Sequence, residues 1–353
     1  MISAIFNSQA SSWNVVERLV FPAPRPSYSL ESFPGELIIV PGEAGDVPCL
    51  FLPFQHARFL MIFFHANAED LGLVYNFCSI LRDLFQVNLL AVEYPGYGAC
   101  PGVSSEWGIM RNAEAAMKFA INALKVAQCD IIIFGRSLGT GPAVALAAKY
   151  DVAGLVLVSP FTSIKELFQR RVGRLATFLE DRFDNLALSP QITSPTLIIH
   201  GMQDVLVPPE HGRKIYDCLY SKRMLVTPSS MTHNSSLLRD LASFVMPMTT
   251  FFALPDYTFE NLQVPDWAFP EIGPSTTNDP VTPWGCAARC CQRQKAGDDA
   301  VVEPISHLKD DESNGGSAGI YFQSSTSGGE SPSQEVNEDS GDVQVSPCAF
   351  HSI

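Results

Sequence analysis

Residues 131–149 read Ile-Ile-Ile-Phe-Gly-Arg-Ser-Leu-Gly-Thr-Gly-Pro-Ala-Val-Ala-Leu-Ala-Ala-Lys, and this stretch decides the fold. The β-branched run at 131–134 predicts a buried parallel strand. The alanine-rich segment at 140–149 predicts a helix. A strand, Gly-x-Ser-x-Gly and a helix in succession are typical of a nucleophile elbow, in which Ser137 sits at a sharp, strained turn. The alternative is an ordinary strand-to-helix turn that contains a serine by chance.

Outward from this unit, short apolar runs alternate with helical patterns. Runs of strand length lie at 36–40, 47–52, 59–64, 88–92, 155–158, 196–199 and 224–226, and helical patterns lie at 71–85, 106–124 and 210–219. This alternation predicts an α/β fold with a mainly parallel central sheet and helices on both faces. Sheets of this kind bind their ligands at the carboxyl ends of the strands.

Composition divides the chain into three parts. Residues 1–34 form a lead-in with a proline-rich end, residues 35–265 carry the α/β pattern, and residues 266–353 form a C-terminal extension. Within the α/β region, residues 161–194 are the one sizeable insertion, which predicts a short cap that packs on the core or forms the wall of an acyl site. Residues 308–346 are rich in Ser, Gly, Asp and Glu, so we expect them to be disordered.

Charge and cysteine content exclude several classes of function. The formal net charge is −14, and no basic stripe is present, which argues against nucleic acid as a partner. The nine cysteines follow no disulfide pattern, and Cys49, Cys78, Cys100, Cys129 and Cys218 in or beside apolar segments are expected to be buried thiols. With neither a signal peptide nor a transmembrane segment in the sequence, we expect a reducing compartment.

A serine nucleophile needs a general base, and an imidazole base needs a carboxylate that orients it. In a fold with this elbow, the chain order is serine, acid, histidine. Asp204 follows the predicted strand at 196–199, and His233 follows the last predicted strand. We therefore predict Ser137, Asp204 and His233 as the catalytic residues. His200 and His211 flank the acid loop and are expected to be structural.

The tetrahedral intermediate also needs hydrogen-bond donors for its oxyanion. One donor is expected to be the N–H of Leu138, directly after the nucleophile. The other is expected from the loop His65-Ala66-Asn67-Ala68 that follows strand 59–64, with Asn67 as the donor. We expect His65 to pack beneath this loop and not to react. Nothing in the sequence calls for a cofactor or a metal.

Six motifs along the chain also carry a family resemblance. They are His-Ala-Asn-Ala-Glu-Asp-Leu-Gly (65–72), Glu-Tyr-Pro-Gly-Tyr-Gly (93–98), Gly-Arg-Ser-Leu-Gly-Thr-Gly-Pro (135–142), Ser-Pro-Phe-Thr-Ser (159–163), Ser-Pro-Thr-Leu-Ile-Ile-His-Gly (194–201) and Thr-His-Asn (232–234). Over roughly residues 18–250 the chain resembles the α/β-hydrolase domain-containing 17 family. The resemblance implies an α/β-hydrolase fold and a serine hydrolase. For members of the family it implies depalmitoylation of membrane-bound proteins by cleavage of a cysteine thioester.

The sequence departs from the family pattern at two positions of the predicted site and at the N-terminus. Ala66 stands where the family usually has Gly, and Arg136 stands where Gln is common. Arg136, beside the nucleophile, is expected to favour an acidic acyl or peptide context. The family also carries an acylated, cysteine-rich N-terminus, whereas residues 1–17 here contain no cysteine.

A cysteine cluster in the C-terminal extension offers an alternative membrane anchor. Residues 284–295 read Trp-Gly-Cys-Ala-Ala-Arg-Cys-Cys-Gln-Arg-Gln-Lys, with Cys286, Cys290 and Cys291 beside basic side chains. Such a cluster suits S-acylation next to an anionic membrane surface. There are two alternatives. The cysteines could have no part in acylation, or they could bind a metal ion, although no fourth metal ligand lies close in sequence.

These observations favour a hydrolase of acyl thioesters or esters that acts on S-acylated proteins or acyl lipids. The alternatives of the same class are a lysophospholipase, an acylglycerol lipase, a small-ester esterase and a peptidase-like enzyme, since fold alone does not choose among them. A different class is a catalytically silent, membrane-associated scaffold. We expect the protein on the cytoplasmic side of membranes, held peripherally, or otherwise in the cytoplasm.

Overall fold

The computed structural model describes residues 20–172, 181–270 and 319–322. The cysteines at 286, 290 and 291, the apolar positions at 175 and 179 in the predicted cap, and residues 1–17 lie outside the described residues.

The described residues contain nine strands and seven α-helices, together with short 3-10 and π-helical turns and loops. The strands are β1 (Leu37–Val40), β2 (Val47–Leu52), β3 (Leu60–Phe64), β4 (Asn88–Val92), β5 (Ile131–Arg136), β6 (Gly154–Val158), β7 (Thr196–Ile199), β8 (Arg223–Thr227) and β9 (Gly319–Phe322). The helices are α1 (Leu71–Phe85), α2 (Glu106–Asn122), α3 (Thr140–Lys149), α4 (Ile164–Val172), α5 (Asn185–Leu188), α6 (Pro209–Cys218) and α7 (Met246–Phe252).

All nine strands form one sheet in the order β1-β2-β4-β3-β5-β6-β7-β8-β9. The six strands from β4 to β8 in this order are parallel, and β1, β2 and β9 are antiparallel to their neighbours. The expectation of a mainly parallel sheet is confirmed, and each predicted strand lies within two residues of an observed one.

Helices cover the sheet on both faces because the central strands are apolar on both sides. In β3, Ile62 and Phe64 belong to one buried cluster with α2 and α3, whereas Met61 and Phe63 belong to the other with α1 and α7. Helix α1 buries positions three or four residues apart, which places a single apolar stripe on the sheet. Its first turn is capped by the Asp70 side chain, which accepts from the Leu73 N–H.

Strand register brings the carboxyl ends of the six parallel strands to one edge. Phe64 pairs with Gly135, Arg136 with Val158, and Ile199 with Val226. The loops after β3, β5, β6, β7 and β8 therefore meet along this edge, which is where the predicted site residues lie.

Two expectations need correction. Residues 319–322, within the segment expected to be disordered, form β9 against β8. Their sequence, Gly-Ile-Tyr-Phe, has high β-propensity and β8 would otherwise be an open sheet edge. Of the five cysteines expected to be buried, Cys129 and Cys218 are half-buried, because they lie in a turn and at a helix end.

The insertion between β6 and β7 begins with α4. Leu167 and Phe168 are partly buried against the core, as expected for a cap helix that packs on the domain. In the part of the chain described, no helix has the length and apolar character needed to cross a bilayer.

Candidate active site

Ser137 lies directly after β5 in a left-handed backbone conformation, with φ of +49°. Such a φ is costly for a residue with a Cβ and persists where the surrounding structure enforces it. Gly135 and Gly139 make the turn possible: a Cβ at 135 would overlap the Gly139 carbonyl, and one at 139 would overlap the Phe64 carbonyl of β3. The Ser137 side chain is held at the sheet edge and is 8% exposed.

The structure brings the three predicted triad residues together. Nε2 of His233 lies 3.0 Å from Oγ of Ser137. Nδ1 of the same ring lies 2.8 Å from Oδ2 of Asp204. These contacts join residues that are 96 and 29 positions apart in sequence. Because the carboxylate accepts at Nδ1, the hydrogen sits there and leaves Nε2 free to accept the serine proton.

The environment of Asp204 keeps it ionised. Burial raises the pKa of this carboxyl, but the hydrogen bonds from His233 and from the Val207 N–H outweigh burial, so the pKa lies below its ordinary value. Its Oδ1 accepts from the N–H groups of Leu206 and Val207, at 3.0 and 2.8 Å. The acid loop thus fixes the carboxylate that orients His233.

His200 and His211 have structural contacts, as expected. Nε2 of His200 donates to the Val207 carbonyl at 2.8 Å, and burial lowers the pKa of this histidine, so it stays neutral beside Asp204. Nδ1 of His211 accepts from the Thr162 N–H at 3.3 Å. Both residues hold the frame around the acid loop.

Hydrogen bonds fix the conformation of the loop after β3, where one oxyanion donor is expected. The Ala66 N–H donates a hydrogen bond to Oε2 of Glu69, at 3.0 Å. The Asn67 side chain is also engaged, donating to the Val20 carbonyl at 2.8 Å and accepting from Tyr97 Oη at 2.6 Å. The N–H groups of Ala66 and Ala68 are both engaged, whereas the Asn67 N–H between them has no hydrogen-bond acceptor among the described residues.

His65 packs beneath the loop, fully buried, as expected. Its Nδ1 donates to the Ala66 carbonyl at 2.9 Å and its Nε2 lies 2.9 Å from Glu93 Oε1. Burial alone lowers the pKa of His65, but the hydrogen bond to Glu93 offsets this and the pKa is raised. Since both ring nitrogens lie at hydrogen-bonding distance from oxygen atoms, His65 is anchored between the Ala66 carbonyl and Glu93 at the end of β3.

Arg136, expected to favour an acidic substrate context, has a partner within the protein. Its guanidinium is 18% exposed and already paired with the Glu69 carboxylate, with 3.3 Å between Nη1 and Oε1. A cation paired within the protein is less available to an acidic substrate group. The sequence contained the two charges but gave no signal that positions 67 residues apart would meet.

No group of three His, Cys, Asp or Glu side chains within the described ranges is arranged to hold a metal ion. The chemistry available at this edge is that of a hydroxyl, an imidazole, a carboxylate and backbone N–H groups.

Comparison with known proteins identifies the family. No family model matches the chain. The α/β-hydrolase domain-containing protein aho-3 of Caenorhabditis elegans is 30% identical over 263 residues, which cover 66% of this chain and 78% of that protein. The chain belongs to the α/β-hydrolase domain-containing 17 family.

Two vertebrate members of the family match a shorter region. Protein 17B of Homo sapiens is 33% identical over 172 residues, covering 48% of this chain and 59% of the relative. Protein 17C of Mus musculus is 32% identical over 171 residues, covering 48% and 52%. The chain thus spans a little over half the length of these two relatives. The family supports a hydrolase.

Solved structures show the same fold. An α/β-hydrolase from Vibrio vulnificus superposes with a TM-score of 0.52 at 21% identity, covering 61% of this chain and 80% of that one. The Pyrococcus furiosus esterase Pf2001 gives a TM-score of 0.53 at 14% identity, covering 65% and 96%. The α/β-hydrolase fold expected from the sequence is confirmed.

Proposed function

We propose that this protein is a serine hydrolase that cleaves acyl thioesters or esters through an acyl-enzyme intermediate. The observation that carries the proposal is the relay from Ser137 Oγ to His233 Nε2 at 3.0 Å, and from His233 Nδ1 to Asp204 Oδ2 at 2.8 Å. The nucleophile stands on a strained left-handed turn directly before Leu138, and such a turn is typical of acyl-transfer enzymes that use this relay.

In the first half-reaction, Ser137 Oγ attacks the acyl carbonyl carbon while His233 Nε2 takes the hydroxyl proton. Asp204, ionised and hydrogen-bonded, stabilises the imidazolium that forms. The carbonyl oxygen becomes an oxyanion that accepts from the N–H groups of Leu138 and Asn67. The intermediate collapses to the acyl-enzyme, the carbon–sulfur or carbon–oxygen bond breaks, and His233 returns the proton to the leaving group.

In the second half-reaction, water replaces the leaving group. His233 removes a proton from the water as it attacks the Ser137 ester, and the oxyanion forms again at the same two N–H groups. Collapse releases the carboxylic acid, and the proton returns from His233 to Ser137 Oγ. The cycle consumes one water and needs no cofactor.

We further propose S-acylated proteins as the substrates, with depalmitoylation as the reaction. The support is the family to which the chain belongs. An enzyme for long acyl thioesters should gain from each buried methylene about 0.8 kcal/mol, or roughly fourfold in kcat/KM, until the acyl site ends.

The test combines covalent labelling with graded substrates. A fluorophosphonate should label the wild-type protein, and Ser137→Ala should abolish labelling. Hydrolysis of p-nitrophenyl esters from C4 to C16, followed by an S-palmitoylated cysteine peptide, then measures chain preference. An optimum at C4 with no cleavage of the peptide would favour the small-ester esterase. A preference for lysophospholipid or monoacylglycerol over the peptide would favour a lipase. No turnover of any of these substrates would favour the catalytically silent scaffold.

Membrane attachment through Cys286, Cys290 and Cys291 is a separate proposal. One acyl chain binds a membrane only marginally, with K on the order of 10⁴ M⁻¹, so stable attachment needs two or more signals. Three clustered cysteines can supply them, and Arg289, Arg293 and Lys295 would each add about 1 kcal/mol at an anionic surface.

Replacing all three cysteines by serine should move the protein from the membrane to the soluble fraction and leave hydrolysis of a soluble ester unchanged. Cys218→Ser is the matched control, since Cys218 is a half-buried thiol of the folded domain. Full membrane association of the triple variant would reject this attachment.

A further inference from the structure

The Arg136 guanidinium connects two loops that the proposed reaction uses. Nη1 lies 3.3 Å from Glu69 Oε1 on the loop after β3, and Nη2 lies 3.4 Å from the His233 carbonyl on the loop after β8. Arg136 is the last residue of β5 and directly precedes Ser137. One side chain thus joins the strand of the nucleophile, the loop of the oxyanion donor and the loop of the base.

Glu69 extends this connection into the oxyanion loop. While Oε1 faces Arg136, Oε2 accepts from the Ala66 N–H at 3.0 Å. The carboxylate therefore holds one N–H of the loop inward, and the next N–H along, that of Asn67, has no acceptor in the described part of the chain. Arg136 thus contacts one oxygen of a carboxylate whose other oxygen holds the residue directly before Asn67.

The side chains of Arg136 and Glu69 are 18% and 27% exposed. Solvent screens charges at this depth only in part. Because the two charges are opposite and paired, each offsets part of the other's field at His233. Removing one partner would leave an unbalanced charge close to the base.

We propose that Arg136 and Glu69 form a positioning pair that aims the Asn67 N–H and keeps the electrostatic field at His233 balanced. The inference rests on the proposed function, in which His233 is the general base. It assigns neither residue to contact with substrate: both act through the groups they hold.

The charged and titratable groups that the structure records around His233 come from three elements. Asp204 and His200 lie at the end of β7, Arg136 lies on β5, and Glu69 lies behind Arg136 on the loop after β3. Asp204 and His200 are unchanged in every variant below, so differences among these variants report on the pair.

The test uses Glu69→Gln, Arg136→Gln and the double variant. The amide of Glu69→Gln still accepts from Ala66 but carries no charge. The acidic limb of kcat/KM against pH reports protonation of the base in the free enzyme. Glu69→Gln leaves a lone cation, which disfavours a protonated base, so the limb should move to lower pH. Arg136→Gln leaves a lone carboxylate, so the limb should move to higher pH.

Each shift should be about half a pH unit, the size expected from a unit charge roughly 10 Å away in an effective dielectric of about 40. The double variant should return to within about 0.2 unit of wild type. Arg58→Gln is the matched control: Arg58 pairs with Asp130 and Asp256 away from the site, so its loss changes net charge equally and should not move the limb.

Kinetic constants separate geometry from charge. Removing an oxyanion donor lowers the rate about 10²–10³-fold. Loss of Arg136 or Glu69 would only misalign the Asn67 donor, so it should lower the rate less, about tenfold, and mainly in kcat. Arg136→Lys keeps the charge but cannot form a planar fork between Glu69 and the His233 carbonyl. It should keep the limb in place and lower kcat about threefold.

The proposal would be overturned if the acidic limb moved in the same direction in both single variants, or in neither. It would also be overturned if the limb of the double variant were shifted as far as that of the single variants. Circular dichroism and thermal unfolding identify any variant that fails to fold, and Arg136→Lys with Glu69→Gln then carries the test. Failure of the proposed function is a distinct result: fluorophosphonate labelling would survive Ser137→Ala.

Discussion

Ser137 and Ser159 occupy the same backbone conformation at neighbouring points of the sheet edge, with φ of +49° in each. Arg136 of β5 pairs with Val158 of β6, so the two serines are the next residues beyond one register pair. Each lies directly after a buried parallel strand, and each accepts the strain of a left-handed turn.

Their surroundings differ in three ways. Ser137 Oγ has His233 Nε2 at 3.0 Å, whereas Ser159 Oγ faces Asp204 and makes no hydrogen bond of normal geometry among the described residues. Ser137 is followed by Leu138, which has an N–H, whereas Ser159 is followed by Pro160, which has none. Ser137 is 8% exposed and Ser159 only 1%.

The comparison separates a strained turn from a reactive one. A left-handed serine after a parallel strand is a feature of the sheet edge, and it occurs twice here. A base at hydrogen-bonding distance and an N–H on the next residue are present at Ser137 alone of the two, and Ser137 is also the more exposed. The proposed reactivity therefore depends on what the other loops bring to the turn.

The largest effect should separate the two serines directly. Ser137→Ala should lower kcat by on the order of 10⁶, as loss of the nucleophile does in comparable enzymes. Ser159→Ala should lower it by less than about fivefold, because the Ser159 hydroxyl makes no hydrogen bond to the base. Steady-state hydrolysis of p-nitrophenyl butyrate measures both. Equal losses in the two variants would remove the distinction.

Removing the carboxylate that orients His233 should make Ser137 nearly as unreactive as Ser159. Asp204→Asn lets His233 adopt the wrong tautomer, and kcat should fall by on the order of 10⁴. Asp217→Asn, which removes an exposed acid paired with Arg213 on the following helix, is the matched control and should have little effect. A loss of less than tenfold in Asp204→Asn would mean that another group orients His233.

Asp204 should also couple stability to pH. Its pKa is lowered in the folded protein, so its contribution is fully present above the ordinary carboxyl value near pH 4 and is lost as the pH falls through the folded value. The free energy of unfolding of wild type should therefore decrease in this acid window more than that of Asp204→Asn, by about 1.4 kcal/mol for each unit of lowering. Urea unfolding at a series of pH values measures this difference.

Ser159→Ala sharpens this measurement. His233 and Val207 lower the pKa of Asp204 more than Ser159 does, so most of the acid dependence should remain in Ser159→Ala. Parallel pH profiles for Ser159→Ala and Asp204→Asn would instead make Ser159 the main partner of the carboxylate.

The smallest effect concerns strain. A left-handed turn costs a residue with a Cβ about 1–2 kcal/mol, and glycine avoids this but loses roughly 0.5–1 kcal/mol of chain entropy on folding. Ser159→Gly should therefore stabilise the protein by about 0.5 kcal/mol, or raise Tm by about 1–2 °C. Ser159→Ala, which keeps the strain, should not. Destabilisation of Ser159→Gly in calorimetry would show that the hydroxyl outweighs the turn.

Local patterns were sufficient for much of the fold. The strands at 131–136 and 196–199 are short apolar runs bounded by turns, so their type follows from neighbouring residues. The elbow at Ser137 was also predictable, because two glycines at fixed spacing have a steric reason that is visible in the sequence. Of the contacts around the elbow, only those of Asp204 and His233 were predictable, because the serine, acid, histidine order of this fold identifies both residues.

The rest depended on tertiary structure. The pairing of Arg136 with Glu69, the strain at Ser159 and the position of β9 beside β8 link positions far apart in sequence through the register of the sheet. Neighbouring residues carry no record of that register, because each strand is compatible with many partners until the buried faces pack. The sequence by itself determined which elements form and where a nucleophile could stand. Only the tertiary structure decided which of two strained serines has a base within reach, because that distance is fixed by the packing of loops from separate strands.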